Sequence, residues 1–161
     1  MTGFFGTSSS RVSLSTEALK LIIEEINADA GGLLLNKLLD PLLKNIDNES
    51  LRPACISLMG DLCGRFGSLM KDTQKVVITK LMEYLENSSS LVKKNTFTAF
   101  IQLTPNLEET QFDTMIKSLV SFLEKTQKVE SYLIRLKLLA NMMFEFISFD
   151  LSYNTYIIHM I

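Results

Sequence analysis

The chain has 161 residues, 47% hydrophobic and 21% charged, which is enough apolar material for one domain and too little charge for a disordered tail. Sixteen Lys and Arg against eighteen Asp and Glu leave a formal charge of −2, so no cationic excess is present to hold nucleic acid or an anionic membrane. One histidine, His159, and two cysteines, Cys55 and Cys63, give almost no material for a metal site or for Cys-His catalysis, and the reading is of a non-enzyme with no cofactor.

Residues 1–14 are rich in Gly, Ser and Thr around Phe4 and Phe5 and read as a flexible lead outside the core. From about Ser15 a helix is expected to residue 28, with Ala18, Leu21, Ile22 and Ile26 on its apolar side, Glu24 and Glu25 opposite, and Gly31-Gly32 as its stop. Three later segments repeat an i, i+3, i+4, i+7 template: Leu35, Leu38, Leu39, Leu42; Ile78, Leu81, Met82, Leu85; and Phe112, Met115, Ile116, Leu119. Between and after them lie helices of broader apolar coverage, expected to pack on more than one side. They carry Leu51, Ala54, Cys55, Leu58, Met59 and Leu62; Leu91, Val92, Thr96, Ala99, Phe100 and Leu103; and Leu133, Leu136, Ala140 and Met143. The predicted helices are 15–28, 33–46, 50–66, 72–86, 90–103, 107–124 and 129–147. Residues 148–161 have no assignment.

The joints Asp47-Asn48-Glu49-Ser50, Asn87-Ser88-Ser89-Ser90 and Glu124-Lys125-Thr126-Gln127 are short and rich in capping residues, which forces antiparallel neighbours. Asp72 is positioned to cap the fourth helix, and Asn106 with Glu109 has the outline of a capping box. Pro53 fits a first helical turn and Gly67 a C-terminal cap.

From Leu35 to Ile78 is 43 residues and from Ile78 to Phe112 is 34, close to the roughly 40 of HEAT repeats. The predicted fold is therefore all-α: an α-solenoid of about three and a half HEAT-like helical hairpins over 15–147, in an ARM-like superhelix. Each hairpin would complete its core on the next.

Residues 65–70, RFGSLM, followed by Leu91-Val92-Lys93-Lys94-Asn95-Thr96 at the next helix start, resemble the N-terminal HEAT array of the cullin-associated, neddylation-dissociated proteins, the TATA-binding-protein-interacting 120 family. Ala18-Leu19-Lys20-Leu21-Ile22 resembles an earlier helix of the same array, and the likeness runs over residues 11–146. Asn95 and Leu51-Arg52-Pro53 depart from the family pattern. The resemblance implies a scaffold that binds a cullin with its RING subunit and serves exchange on cullin-RING ubiquitin ligases, in the cytoplasm or nucleus. Family members are far longer, so this chain would represent a fragment or short relative of the array.

On an inner helical layer, Lys93, Lys94, Arg52 and Arg135 are the cations available to meet acidic groups of a partner. Cys55 and Cys63, roughly 12 Å apart on one helix, are out of disulfide reach and read as buried thiols of an intracellular protein. The eight methionines read as fillers of the seams between hairpins. No apolar run approaches the roughly 20 residues of a membrane span, and the N-terminus lacks the pattern of a signal peptide. A different HEAT scaffold, such as a nuclear-transport receptor or phosphatase scaffold piece, shares the same pattern.

Overall fold

The computed structural model describes residues 8–71, 73–85, 87 and 89–124, together with positions 133, 136, 137, 139–141, 143 and 144 of a further helical segment. Among the described residues, six helices with defined bounds run in order: α1 (Ser8–Glu25), α2 (Ala28–Asn45), α3 (Arg52–Phe66), α4 (Gln74–Met82), α5 (Ser90–Leu103) and α6 (Glu109–Glu124). Single 3₁₀ turns, Gly67–Leu69 and Thr104–Asn106, follow α3 and α5. Among the described residues there is no strand, and the protein is all-helical.

Helix α3 is the centre of the packing. It lies against α5 most extensively and also against α1 and α2, while α4 packs on α5. Its breadth of apolar coverage accounts for this: Cys55, Ile56, Leu58, Met59, Leu62, Cys63 and Phe66 are all buried. From α5, Val92, Ala99, Phe100 and Leu103 are buried against them, with Ile46, Leu81, Met115 and Leu119 completing one continuous core. Each fully buried aliphatic side chain contributes about 1.5–3 kcal/mol. Of the predicted faces, Leu35, Leu39 and Leu42 of α2, Leu81 of α4 with Leu85 just beyond it, and Phe112, Met115 and Leu119 of α6 are buried, while Leu38, Ile78, Met82 and Ile116 are partly buried against the same core.

Several expectations are corrected. Helix α1 starts at Ser8, so residues 8–14 are helix and not a lead. The Val12 carbonyl accepts a 2.7 Å bond from the Thr16 hydroxyl. The inward side of α1 is Val12, Thr16, Leu19, Ile23 and Ile26, while Ala18, Leu21 and Ile22 are exposed. The break between α1 and α2 falls at Asn27, whose side chain caps α2 by accepting from the Ala30 N–H at 2.9 Å. Gly31 and Gly32 are therefore inside α2, and Gly31 is there because the Phe66 ring fills the space a side chain would occupy.

Pro53 sits in the first turn of α3, as predicted, but Gly67 has φ −57° and is no left-handed cap. Its lack of a side chain admits Asn106 instead, whose Cβ would be 2.5 Å from a Cβ added at Gly67. Helix α4 is shorter than the predicted 72–86, and its N-cap position is Thr73, without a side-chain cap bond. Asp72 lies outside the described residues. Ser89 caps α5, accepting from Val92 N–H at 3.4 Å. At the start of α6 the Gln111 side-chain oxygen accepts from Glu108 N–H at 3.0 Å, one half of a capping box, while the Glu108 carboxylate pairs with Lys71. Asn106 faces elsewhere.

The positions described between 133 and 144 are helical, in line with the expected seventh helix, but Leu133, Leu136 and Met143 are exposed and not packed on two sides. No described helix follows to cover them. Met59, Met70 and Met115 do fill the core. The unassigned 148–161 segment lies outside the described residues.

Candidate partner-binding surface

Several polar side chains connect helices that lie about forty residues apart in the chain. Gln102 Nε2 donates to Asp61 Oδ1 at 3.0 Å, across 41 residues. The other Asp61 oxygen meets Lys20 Nζ at 3.6 Å, the same distance back along the chain. Lys20 on α1, Asp61 on α3 and Gln102 on α5 are thus linked in one row. Asn95 Nδ2 donates to the Pro53 carbonyl at 2.8 Å. Asn106 Nδ2 donates to the Cys63 carbonyl at 3.0 Å. Buried Gln74 donates to the Gly67 and Asn106 carbonyls at 2.9 and 3.0 Å, tying the two 3₁₀ turns together.

At the joint between α2, α3 and α4 these bonds become a cluster. Arg52 Nε donates to the Ile46 carbonyl at 3.0 Å and Nη2 to the Asp47 carbonyl at 2.9 Å, closing the C-terminal end of α2. Its guanidinium carbon lies 5.0 Å from the centre of the Tyr84 ring. The Tyr84 hydroxyl donates to Asp47 Oδ1 at 2.6 Å. Lys80 Nζ lies 2.9 Å from both Asp47 and Glu83 carboxylate oxygens.

The Tyr84 bond and then the Lys80 bond hold the Asp47 carboxyl below its ordinary range. Hydrogen bonds to Glu83 and Asp47 push the Lys80 ammonium up, and burial followed by the Asp47 bond raises the Tyr84 hydroxyl.

The four predicted contact cations therefore differ in state. Arg52 is committed to the α2–α3 joint. Lys93 is half-buried and Lys94 exposed at the start of α5, with no ion pair to either among the described residues. Asn95 anchors that start against the first turn of α3, at the Pro53 carbonyl. Arg135 lies outside the described residues.

A groove of about 480 Å³ between α4 and α6, lined among others by Lys71, Lys75, Thr79, Thr110, Thr114 and Ser118, was not anticipated. Thr79, Thr114 and Ser118 donate to carbonyls four residues back on their own helices at 2.7–2.9 Å. Thr110, Thr114 and Ser118, spaced by four on one helix side, are the sequence signal that could have found it. At its mouth Lys71 pairs with Glu108 at 2.7 Å, both largely exposed.

The cysteines are placed for packing. Cys63 is fully buried, and burial followed by the nearby Asp61 charge pushes its thiol up to about 12. Cys55 is buried and shifted in the same direction by burial. A thiol so held is a poor nucleophile. Among the described residues no group of three His, Cys, Asp or Glu is placed to hold a metal ion, and no helix is long and apolar enough to cross a membrane. His159 lies outside the described residues. Comparison with protein-family models, curated proteins and solved structures finds no match to this chain.

Proposed function

We propose that the chain is a protein-binding scaffold, a right-handed HEAT-type array whose curved surface meets an extended protein partner. The observation that carries this reading is the sequence separation of the long-range side-chain hydrogen bonds: those between described residues span 32 to 43 residues. Bonds confined to one repeat length are what a nearest-neighbour stack requires, because each unit touches only the units beside it.

In this reading α1, α3 and α5, which pack side by side, are the inner layer, and the grooves of about 380 and 480 Å³ between α2 and α4 and between α4 and α6 lie on the outer one.

The partner that the sequence resemblance suggests is a cullin with its RING subunit, in the cytoplasm or nucleus. Lys93 and Lys94 are the inner-face cations free to meet acidic groups there. Affinity would accumulate from many modest contacts, with neither nucleic acid nor membrane involved and no catalytic step. Pull-down with an unmodified cullin–RING complex tests this: retention of the wild type, and weaker retention of the Lys93→Glu/Lys94→Glu variant, is the expected result. Recovery of nuclear-transport factors or phosphatase subunits instead would place the chain among other HEAT scaffolds.

A further inference from the structure

A further groove of about 380 Å³ runs between the first half of α1, the last two turns of α2 and the first half of α3. Its volume falls at the lower end of the roughly 300–1,000 Å³ of small-molecule sites. Helices α1 and α2 are joined only through Ile26 and Asn27, so the start of α1 lies beside the end of α2, where α3 begins. That end of the groove collects its polar groups, exposed Arg11 and Ser15 from α1 and Asn45 from α2. Beyond them the wall is apolar, with Leu19, Leu38, Leu42, Ala54, Cys55 and Leu58. Thr16, also on the wall, donates its hydroxyl to the Val12 carbonyl of its own helix.

Arg11 is the one charged residue lining this groove. The charged groups on the surrounding elements lie off the wall: Glu17 and Lys20 on α1, Asp40 and Lys44 on α2, Glu49 in the joint. Arg52 is bonded to the Ile46 and Asp47 carbonyls, and the Asp47 carboxylate is paired with Lys80 of α4.

We propose that the groove binds a free carboxylic acid on a linear acyl chain, a medium-chain fatty acid, with its carboxylate at Arg11 and its chain running toward Leu19 and Leu58. One guanidinium matches one carboxylate in charge and in its two-pronged geometry, whereas a phosphate would bring a second charge with no second cation on the wall. The apolar stretch has no free donor or acceptor for a polar substituent, so the remainder of the ligand is hydrocarbon. From Arg11 to Leu19 the helix rises about 12 Å at 1.5 Å per residue, which sets the length of chain it covers. An acyl group held in an ester or amide lacks the charge, so the free acid is the form selected.

Titration of the full chain, methyl-labelled at Ile, Leu and Val, with decanoate and with methyl decanoate tests the proposal. Decanoate is expected to shift the methyls of Val12, Leu19, Leu38, Leu42, Leu51 and Leu58 saturably, to leave those of Leu81, Leu103 and Leu119 unmoved, and to bind about tenfold more tightly than the ester. Arg11→Gln should weaken decanoate by a similar factor and leave the ester unchanged, while Ser15→Trp should obstruct the groove and weaken both. Both substitutions change exposed side chains, so unfolding midpoints near wild type are expected. The proposal is overturned by the absence of saturable shifts at those methyls, by equal binding of acid and ester, by Arg11→Gln or Ser15→Trp binding decanoate as wild type does, or by shifts concentrated on exposed Leu14 and Leu21, which would mean adventitious adsorption only. No protein partner is present, so the outcome is separate from that of the cullin pull-down.

Discussion

Gln102 on α5 donates to Asp61 on α3 at 3.0 Å, and Lys20 on α1 meets the other oxygen of the same carboxylate at 3.6 Å. One side chain on the central helix thereby joins three helices that are far apart in sequence. Asp61→Ala should destabilise the protein by about 1–3 kcal/mol, since it removes a charged hydrogen-bond acceptor and strands the half-buried Gln102 amide. In a double-mutant cycle with Gln102→Ala, read by denaturant unfolding, the losses should fall short of additive by about 0.5 kcal/mol or more. Strict additivity would mean the rung carries no coupling.

The glycines give a contrast set by what surrounds each of them. A side chain at Gly60 would run into the Gln102 side chain and lie 3.0 Å from the Ala99 backbone of α5, whereas nothing lies within 4 Å of one at Gly32. Gly60→Ala should cost about 1–3 kcal/mol through overpacking. Gly32→Ala, in helix α2, should stabilise by about 0.4–1 kcal/mol. Thermal unfolding of the two variants under identical conditions decides the matter, and equal effects would contradict the observed packing.

Asn106 separates two roles that sequence alone does not distinguish. As a helix cap it would be replaced well by Asp, which accepts the same bonds. In the structure it donates, to the Cys63 carbonyl at 3.0 Å. Asn106→Asp removes the donor and sets a carboxylate against a carbonyl, so a loss of about 1–3 kcal/mol is expected in equilibrium unfolding. A neutral result would restore the capping role.

Asp47 supplies a pH signature. Its folded-state carboxyl lies below its ordinary value of 3.8, chiefly through the Tyr84 hydroxyl and then Lys80. The stabilisation from this group is therefore present above about 3.8 and is lost as pH falls through the depressed folded value. A carbon-detected NMR titration should place the Asp47 midpoint below the ordinary range, and Tyr84→Phe should move it upward. A midpoint unchanged by that substitution would show that the hydrogen bond is not its cause.

Cys55 and Cys63 should resist a thiol reagent in the native protein at mildly alkaline pH and react on denaturation. The measurement is the reagent's absorbance change with and without denaturant. Rapid native labelling of Cys63 would be incompatible with a fully buried thiol whose pKa is pushed up to about 12.

The helices were legible where apolar periodicity was strong and one-sided. The leucines of α2 and the Phe112, Met115, Leu119 series of α6 are buried as their spacing demands. In α1 the same reasoning selected the wrong face, because Leu21 and Ile22 are as apolar as Leu19 and Ile23 and only the position of α3 distinguishes them. Gly31-Gly32 was misread as a stop because the need for a glycine came from Phe66, thirty-five residues away, and not from local backbone conformation. The residues of the candidate surface were partly legible. Lys93 and Lys94 follow from charge on a helix start, but the commitment of Arg52 to the ends of α2 requires knowing that Ile46, Asp47 and Tyr84 surround it. The rungs Lys20, Asp61 and Gln102 look like ordinary surface residues until α1, α3 and α5 are aligned.

The most direct test of the stacked-unit account is a methyl NOE map of the protein labelled at Ile, Leu and Val. Cross-peaks are predicted from Leu19 and Ile23 of α1 to Ile56, Leu58 and Leu62 of α3, and from those α3 methyls to Val92 and Leu103 of α5. Strong direct peaks between the α1 and α5 methyls, with the α3 connections missing, would mean that the helices do not stack in chain order and would contradict the account.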